Sequence, residues 1–219
     1  SMVEIQTNAQ HYFQRPDADY LSVDSTTSSL TGGNWLLQIA RQSAEHWTGF
    51  FSVERIEPKF SVNDIGFLDQ GEQFDITGSM SYQEITPGEL LRNWSLRFLA
   101  YAELRNDVLD APVSSDQWGR SYKGGMVNLG GDFEFLNNWS IHPSVSYHPK
   151  RLMDTKTRGG PLMTGPPRWR FQVRASTDRR SAVSFEPNLE YTTRGLNGGQ
   201  NLRLGVETSL RPAPNWALE

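Results

Sequence analysis

The sequence predicts an all-β protein, an antiparallel up-and-down β-barrel of the transmembrane type, and an incomplete segment of a larger one. Three observations predict this. Apolar and polar residues alternate with a period of two over most of the chain, as pleated strands require. The connections between the alternating stretches are short and long by turns, so one end of the sheet carries tight turns and the other longer loops, as in membrane barrels. An Asn-Trp pair also recurs just after short turns, at Asn93-Trp94, Asn138-Trp139 and Asn215-Trp216.

Composition sets the bounds. The chain has 219 residues and a formal charge of -4, with no basic stripe, which argues against nucleic acid as a partner. The absence of cysteine excludes disulfide frameworks, thiolate zinc sites and thiol nucleophiles. Only 37% of residues are hydrophobic and no run suits a membrane helix, so any bilayer crossing falls to strands of about 9–11 residues. The start at Ser1-Met2-Val3-Glu4 has neither a basic nor an apolar signal region and reads as a processed or excised fragment.

One segment, 1–219, is expected. Residues 1–33 are weakly patterned, with a turn at Arg15-Pro16-Asp17 and a short strand at Thr26 to Leu30. Residues 34–211 hold about nine alternating strands. Trp35, Leu37 and Ile39 share a face of the first, and Trp47, Gly49, Phe51 and Val53 of the second. Phe74 to Tyr82 and Trp94 to Leu104 follow, on even positions. After a polar loop from Asn106 to Asp116, the apolar phase passes from Trp118, Tyr122 and Met126 to Val127, Leu129, Phe133 and Phe135, which predicts a β-bulge near Gly124-Gly125. Trp139 to Tyr147, Trp169 to Ala175, Val183 to Tyr191 and Leu202 to Leu210 complete the set, and residues 212–219 begin a truncated strand. Pro143 and Pro187 lie within strands, where each lacks a ladder donor and needs a bulge, an interface or an outward-facing nitrogen.

Parity constrains register. The three-residue turn Leu136-Asn137-Asn138 sets Phe135 opposite Trp139 and Phe133 opposite Ile141. A connection centred on Arg180 sets Arg174 opposite Glu186 and Arg170 opposite Glu190. Arg168, Arg170, Arg174, Glu186, Glu190, Arg203 and Glu207 then share the polar face, which in a barrel is the lumen. Trp94, Trp139 and Trp216 form a girdle at the membrane interface, or cap one end of a soluble core.

Tyr12 to Tyr20, Asn63 to Leu68 and Thr157-Arg158-Gly159-Gly160-Pro161-Leu162-Met163 resemble segments of a bacterial outer-membrane β-barrel family of unknown function that carries a family-nine-like carbohydrate-binding module ahead of its barrel. The resemblance implies an outer-membrane location and an N-terminal module that contacts oligo- or polysaccharide. It brings no catalytic residues.

Other chemistry is thin in the sequence. His142 and His148 share a face but stand about 20 Å apart, too far to hold one metal. His11 and His46 have no partner at ligand spacing, so no metal or cofactor is expected. Gly159-Gly160-Pro161 reads first as backbone geometry, with glycine supplying positive φ, and Arg158 as a ligand contact second. The expected function is a non-catalytic barrel segment with a charge-lined interior, for solute passage or for anchoring and displaying an attached domain. A soluble glycan-binding protein using Trp35, Trp47, Trp94 and Trp139 is one alternative. A carbohydrate-active hydrolase using Asp107, Asp110, Asp116 and Asp154 is another.

Overall fold

Among the described residues, ten strands form one antiparallel sheet in simple meander order in the computed structural model of the chain. The structure describes residues 2–8, 11, 13–16, 18–62, 71–153, 156–157, 160–195, 198–213 and 216–218, without the side chains of 212, 213 and 216–218. The strands are β1 (Asn34–Arg41), β2 (Trp47–Ile56), β3 (Gln73–Glu84), β4 (Leu91–Leu104), β5 (Tyr122–Phe135), β6 (Ser140–His148), β9 (Arg168–Ser176), β10 (Val183–Arg194), β11 (Gln200–Ala213) and β12 (Trp216–Leu218). A two-stranded ribbon of β7 (Arg151–Met153) and β8 (Met163–Gly165) sits in the β6–β9 connection. Among the described residues the sheet is open, with β1 and β12 at its two ends.

The pairing carries the alternation across the whole sheet. Phe51 opposes Ile39 and Gly78, Phe98 opposes Met80 and Leu129, and Val145 opposes Leu129 and Phe171. Leu189 opposes Val173 and Leu204. One sheet face is therefore apolar from β1 to β11. Phe133 opposes Ile141 as the turn parity requires, and Asn138 takes φ 62° to close the hairpin through Phe135 N–H to Trp139 O (2.8 Å). The bulge falls at Lys123, where the β4–β5 register shifts between Glu103 and Leu104.

Both strand prolines stand where one ladder lapses. The β5–β6 pairing is interrupted between Gly130↔Ser144 and Phe133↔Ile141, while Pro143 stays paired with Val173 of β9. The β9–β10 pairing stops at Asn188↔Arg174, just short of Pro187, which stays paired with Val206 of β11. The missing donors thus fall where the ladder is already open.

Three expectations are corrected. The β9–β10 register sums two residues higher than a turn centred on Arg180: Arg174 opposes Asn188 and Arg170 opposes Thr192. The cause is the turn itself, where Asp178 accepts hydrogen bonds from the Arg180 backbone (2.9 Å) and guanidinium and moves the centre to Ser181. Residues 26–30 form no strand, because Asp24 takes both the amide and the hydroxyl of Thr26 into a local turn. Trp118 lies on helix α2 (Ser115–Ser121), capped by the Ser114 hydroxyl, so its phase belongs to a helix and not to β5.

The compact core sits at the long-loop end. Phe74, Leu104 and Val108 are buried there, with Val53, Ile76 and Ala102 against them. The described residues before β1, opening with helix α1 (Met2–Thr7), pack at this end and contribute buried Gln6, His11, Phe13, Arg15 and Ala18. Their anchor is Glu72, which takes Arg15 (2.8 Å), the Tyr20 hydroxyl and the Asn106 N–H (3.2 Å). Among the described residues, no helix is long and apolar enough to cross a membrane, a test that leaves strands aside.

Candidate functional site: the polar face and the aromatic belts

Away from the long-loop end, where Phe74, Ile76, Ala102 and Leu104 are packed, the apolar face of the sheet is uncovered. Large side chains of the apolar face stand exposed, among them Ile39 (68%), Leu204 (70%) and Val206 (67%), whereas Ser146, Ser176 and Ser184 of the polar face are buried. In water such a face is a liability, since contiguous apolar patches beyond a few hundred Å² mark interaction or membrane surfaces.

Aromatic residues mark two levels on the apolar face. At the short-turn end Trp47 packs on Tyr82 (ring centroids 4.9 Å) and Tyr82 on Trp94 (5.2 Å), and Trp139, the residue just before β6, is exposed. At the long-loop end Tyr147 packs on Trp169 (4.6 Å), and Tyr191 on Phe171 (6.3 Å). Trp139 and Tyr147 bound one strand and lie about 26 Å apart along it. The second belt is absent from the sequence reading, although the period of two already put Tyr147, Trp169 and Tyr191 on the apolar face. The side chain of Trp216 lies outside the described residues; its backbone pairs with Ala213.

The polar face carries the charges. Register puts Arg168, Arg170, Arg174, Glu186, Glu190, Arg203 and Glu207 on this one face. Arg170 and Glu190 form an ion pair diagonally across β9 and β10, and Glu190 directly opposes Arg203. Arg174 opposes His142 on one side and Asn188 on the other, so it has no directly opposite carboxylate on either neighbouring strand. Glu186, which directly opposes Glu207, is bound by Arg179 (2.8 Å). Pairs of this kind on a wetted face add little to stability, so they set the electrostatics of the face more than its stability.

Between β4, β6 and the β9–β10 turn the face deepens into a recess of about 650 Å³, lined by Arg92, Asn93, Glu134, Asn138, Ser140 and Arg180 among others. Asp132 and His142 border this recess and a second one of about 270 Å³. The register on either side of the β5–β6 lapse sets Asp132 across from His142. His142 Nδ1 lies 2.7 Å from Asp132 Oδ1, and His142 Nε2 lies 3.0 Å from the Ser140 hydroxyl. The Ser140 hydroxyl is in turn 2.8 Å from that of Ser176. Asp132 Oδ2 also accepts from Ser95 (3.2 Å) and faces Arg97 (3.6 Å). The Asp178 carboxyl, in the turn below, is held well under the usual carboxylate range by hydrogen bonds from Arg180 and Asn138 and by the Arg180 charge.

The remaining expected positions are dispersed. Arg158, Gly159, Asp154 and residues 63–68 lie outside the described residues. Gly160 closes a turn on Thr157 O (3.2 Å) without positive φ; the close approach of Thr157, 3.2 Å from a Cβ placed there, is what glycine serves. Pro161 follows it in the same loop. Asp107 and Asp110 lie in a 3₁₀ turn (Asn106–Asp110), where Asp107 pairs with Arg105 (3.1 Å), and Asp116 opens α2. Among the described residues no three His, Asp or Glu side chains are grouped to hold a metal ion.

A family model described as "Domain of unknown function (DUF5916)" matches residues 1–219. Neither curated proteins nor solved structures give a match.

Proposed function

The chain belongs to the DUF5916 family, a domain of unknown function, and we propose that its strands form wall of a bacterial outer-membrane β-barrel with a polar, charge-lined interior. The observation that carries this reading is that the apolar face of the meander is uncovered over most of its width, apart from the long-loop end where Phe74 and Leu104 are packed, while the polar face is recessed and hydrogen-bonded around Asp132. Lipid is the solvent that satisfies such a face, and water in a lumen is the solvent that satisfies the other. The two aromatic belts support the same orientation, with indole and phenol rings at the headgroups. Short turns then face the periplasm and the long-loop end, with residues 2–33, faces outward.

The role of the barrel is passage of a polar solute through this interior, or anchoring and display of an attached carbohydrate-binding domain that contacts oligo- or polysaccharide. The first experiment is refolding into phosphatidylcholine vesicles followed by electrophoresis with and without boiling. A folded barrel runs at a different apparent mass from the boiled chain. Brominated lipids should quench the fluorescence of Trp94 and Trp139, and a chain that stays monomeric without detergent and unquenched by lipid overturns the reading.

A further inference from the structure

We infer that Ser140, His142 and Asp132 form a nucleophilic relay on the polar face that hydrolyses a short acyl ester of a polar alcohol. The hydrogen bonds assign the roles. With Asp132 accepting from Nδ1–H at 2.7 Å, the imidazole has its lone pair at Nε2, and Nε2 faces the Ser140 hydroxyl at 3.0 Å. A base oriented by a carboxylate and aimed at a hydroxyl is the arrangement that activates serine, and it is recognised by geometry and not by order in the chain. Here the nucleophile and base sit two residues apart on one strand face, and the carboxylate comes from directly across on the neighbouring strand.

The step balances without a further redox partner. Ser140 Oγ bonds to the ester carbonyl carbon as its proton passes to His142 Nε2 and the carbonyl π pair moves to oxygen. Collapse expels the alcohol, which takes the proton from Nε2 and leaves an acyl-serine. Water then attacks the acyl carbon, its proton again passing to Nε2, and collapse returns that proton to Ser140 Oγ and releases the acid. The Ser176 hydroxyl, 2.8 Å from Ser140 Oγ, is the donor placed to follow the developing oxyanion.

The recess selects the substrate class. Its guanidinium, amide and carboxylate lining suits a polar alcohol, while the apolar groove formed by Leu96, Leu129, Val145 and Phe171 is on the opposite face of the sheet and offers a long acyl chain nothing on this side. His142 and Asp132 are 42% and 45% exposed, so a substrate reaches them directly. The inference is independent of the membrane reading, because the relay is internal to β5, β6 and β9.

The test uses the folded full chain in detergent. A fluorophosphonate probe should label Ser140, located by peptide mass mapping, and p-nitrophenyl acetate should be hydrolysed far faster than p-nitrophenyl palmitate. Ser140→Ala and His142→Gln should lower that rate by about 10²–10⁴-fold, and Ser176→Ala by about 10²-fold. Ser144→Ala, on the same strand face outside the relay, should leave it unchanged. Because labelling is read on the unaltered chain, a folding defect in a variant does not blur the result. Absence of label at Ser140, equal labelling of Ser140→Ala, or equal rates on the two esters overturns the inference, and none of these outcomes bears on electrophoretic heat modification.

Discussion

Glu72 shows how one buried side chain fixes a whole segment. The Arg15 and Glu72 side chains are 2% and 4% exposed, and the same carboxylate accepts from Tyr20 and from the Asn106 amide. Breaking a buried pair costs about 3–5 kcal/mol, because a charge loses its partner without regaining water. Glu72→Ala should therefore release residues 2–33, seen as rapid proteolysis of this segment while the strands stay protected. Tyr20 adds a pH dependence. Burial first, and then the Glu72 charge, push its phenol above the ordinary range, so the folded state holds the proton more tightly than the unfolded chain. That contribution is complete below the unfolded pKa of about 10 and is lost as pH rises toward the folded value. Protection of residues 2–33 should fall between about pH 10 and 12, and Tyr20→Phe should flatten that fall; a wild-type profile flat to pH 12 would remove Tyr20 from the account.

At the level of the hairpin, Asn138 has φ 62° and donates to Asp178 at 3.2 Å. Alanine in the left-handed region costs about 1–2 kcal/mol, which glycine avoids. Asn138→Ala should lower the urea midpoint of the refolded protein more than Asn138→Gly does, and equal losses in the two variants would show that the Asp178 contact, which both lack, outweighs the left-handed strain. The same hairpin shows what was legible in the sequence. Three turn residues between Phe135 and Trp139 fixed Phe133 opposite Ile141, and identical arithmetic places Asp132 opposite His142, so the relay was within reach of the register rule. The β9–β10 connection was not, since parity fixes which face a residue takes and leaves register open by two; only the Asp178–Arg180 contacts choose between the options. Residues 2–33 and α2 escaped for a different reason. The N-terminal segment is held by Glu72, a partner distant in sequence, and α2 by the backbone of the 3₁₀ turn through Gln117, and no local periodicity announces either.

For the molecule as a whole, the alternation predicts two faces, but which solvent each meets follows only from their burial. Leu99 and Phe98 make this testable, because they are adjacent on β4 and stand on opposite faces, Phe98 opposite Met80 and Leu129, and Leu99 opposite Ser79 and Asn128. Phe98 is exposed on the apolar face. If that face met water, Phe98→Arg would be close to neutral, as exposed substitutions usually are, within about 0.5 kcal/mol. If it meets lipid, the same arginine near the middle of the band costs about 2–4 kcal/mol. Leu99→Arg is the internal comparison: it adds the same side chain to the polar face, where water and the carboxylates of Asp132 and Glu103 share the surface, and it should cost less than Phe98→Arg. Equilibrium urea titrations of both variants in phosphatidylcholine vesicles measure the difference directly. A loss confined to Phe98→Arg places lipid against β4, whereas equal small losses for both variants would return the apolar face to water or to a protein partner.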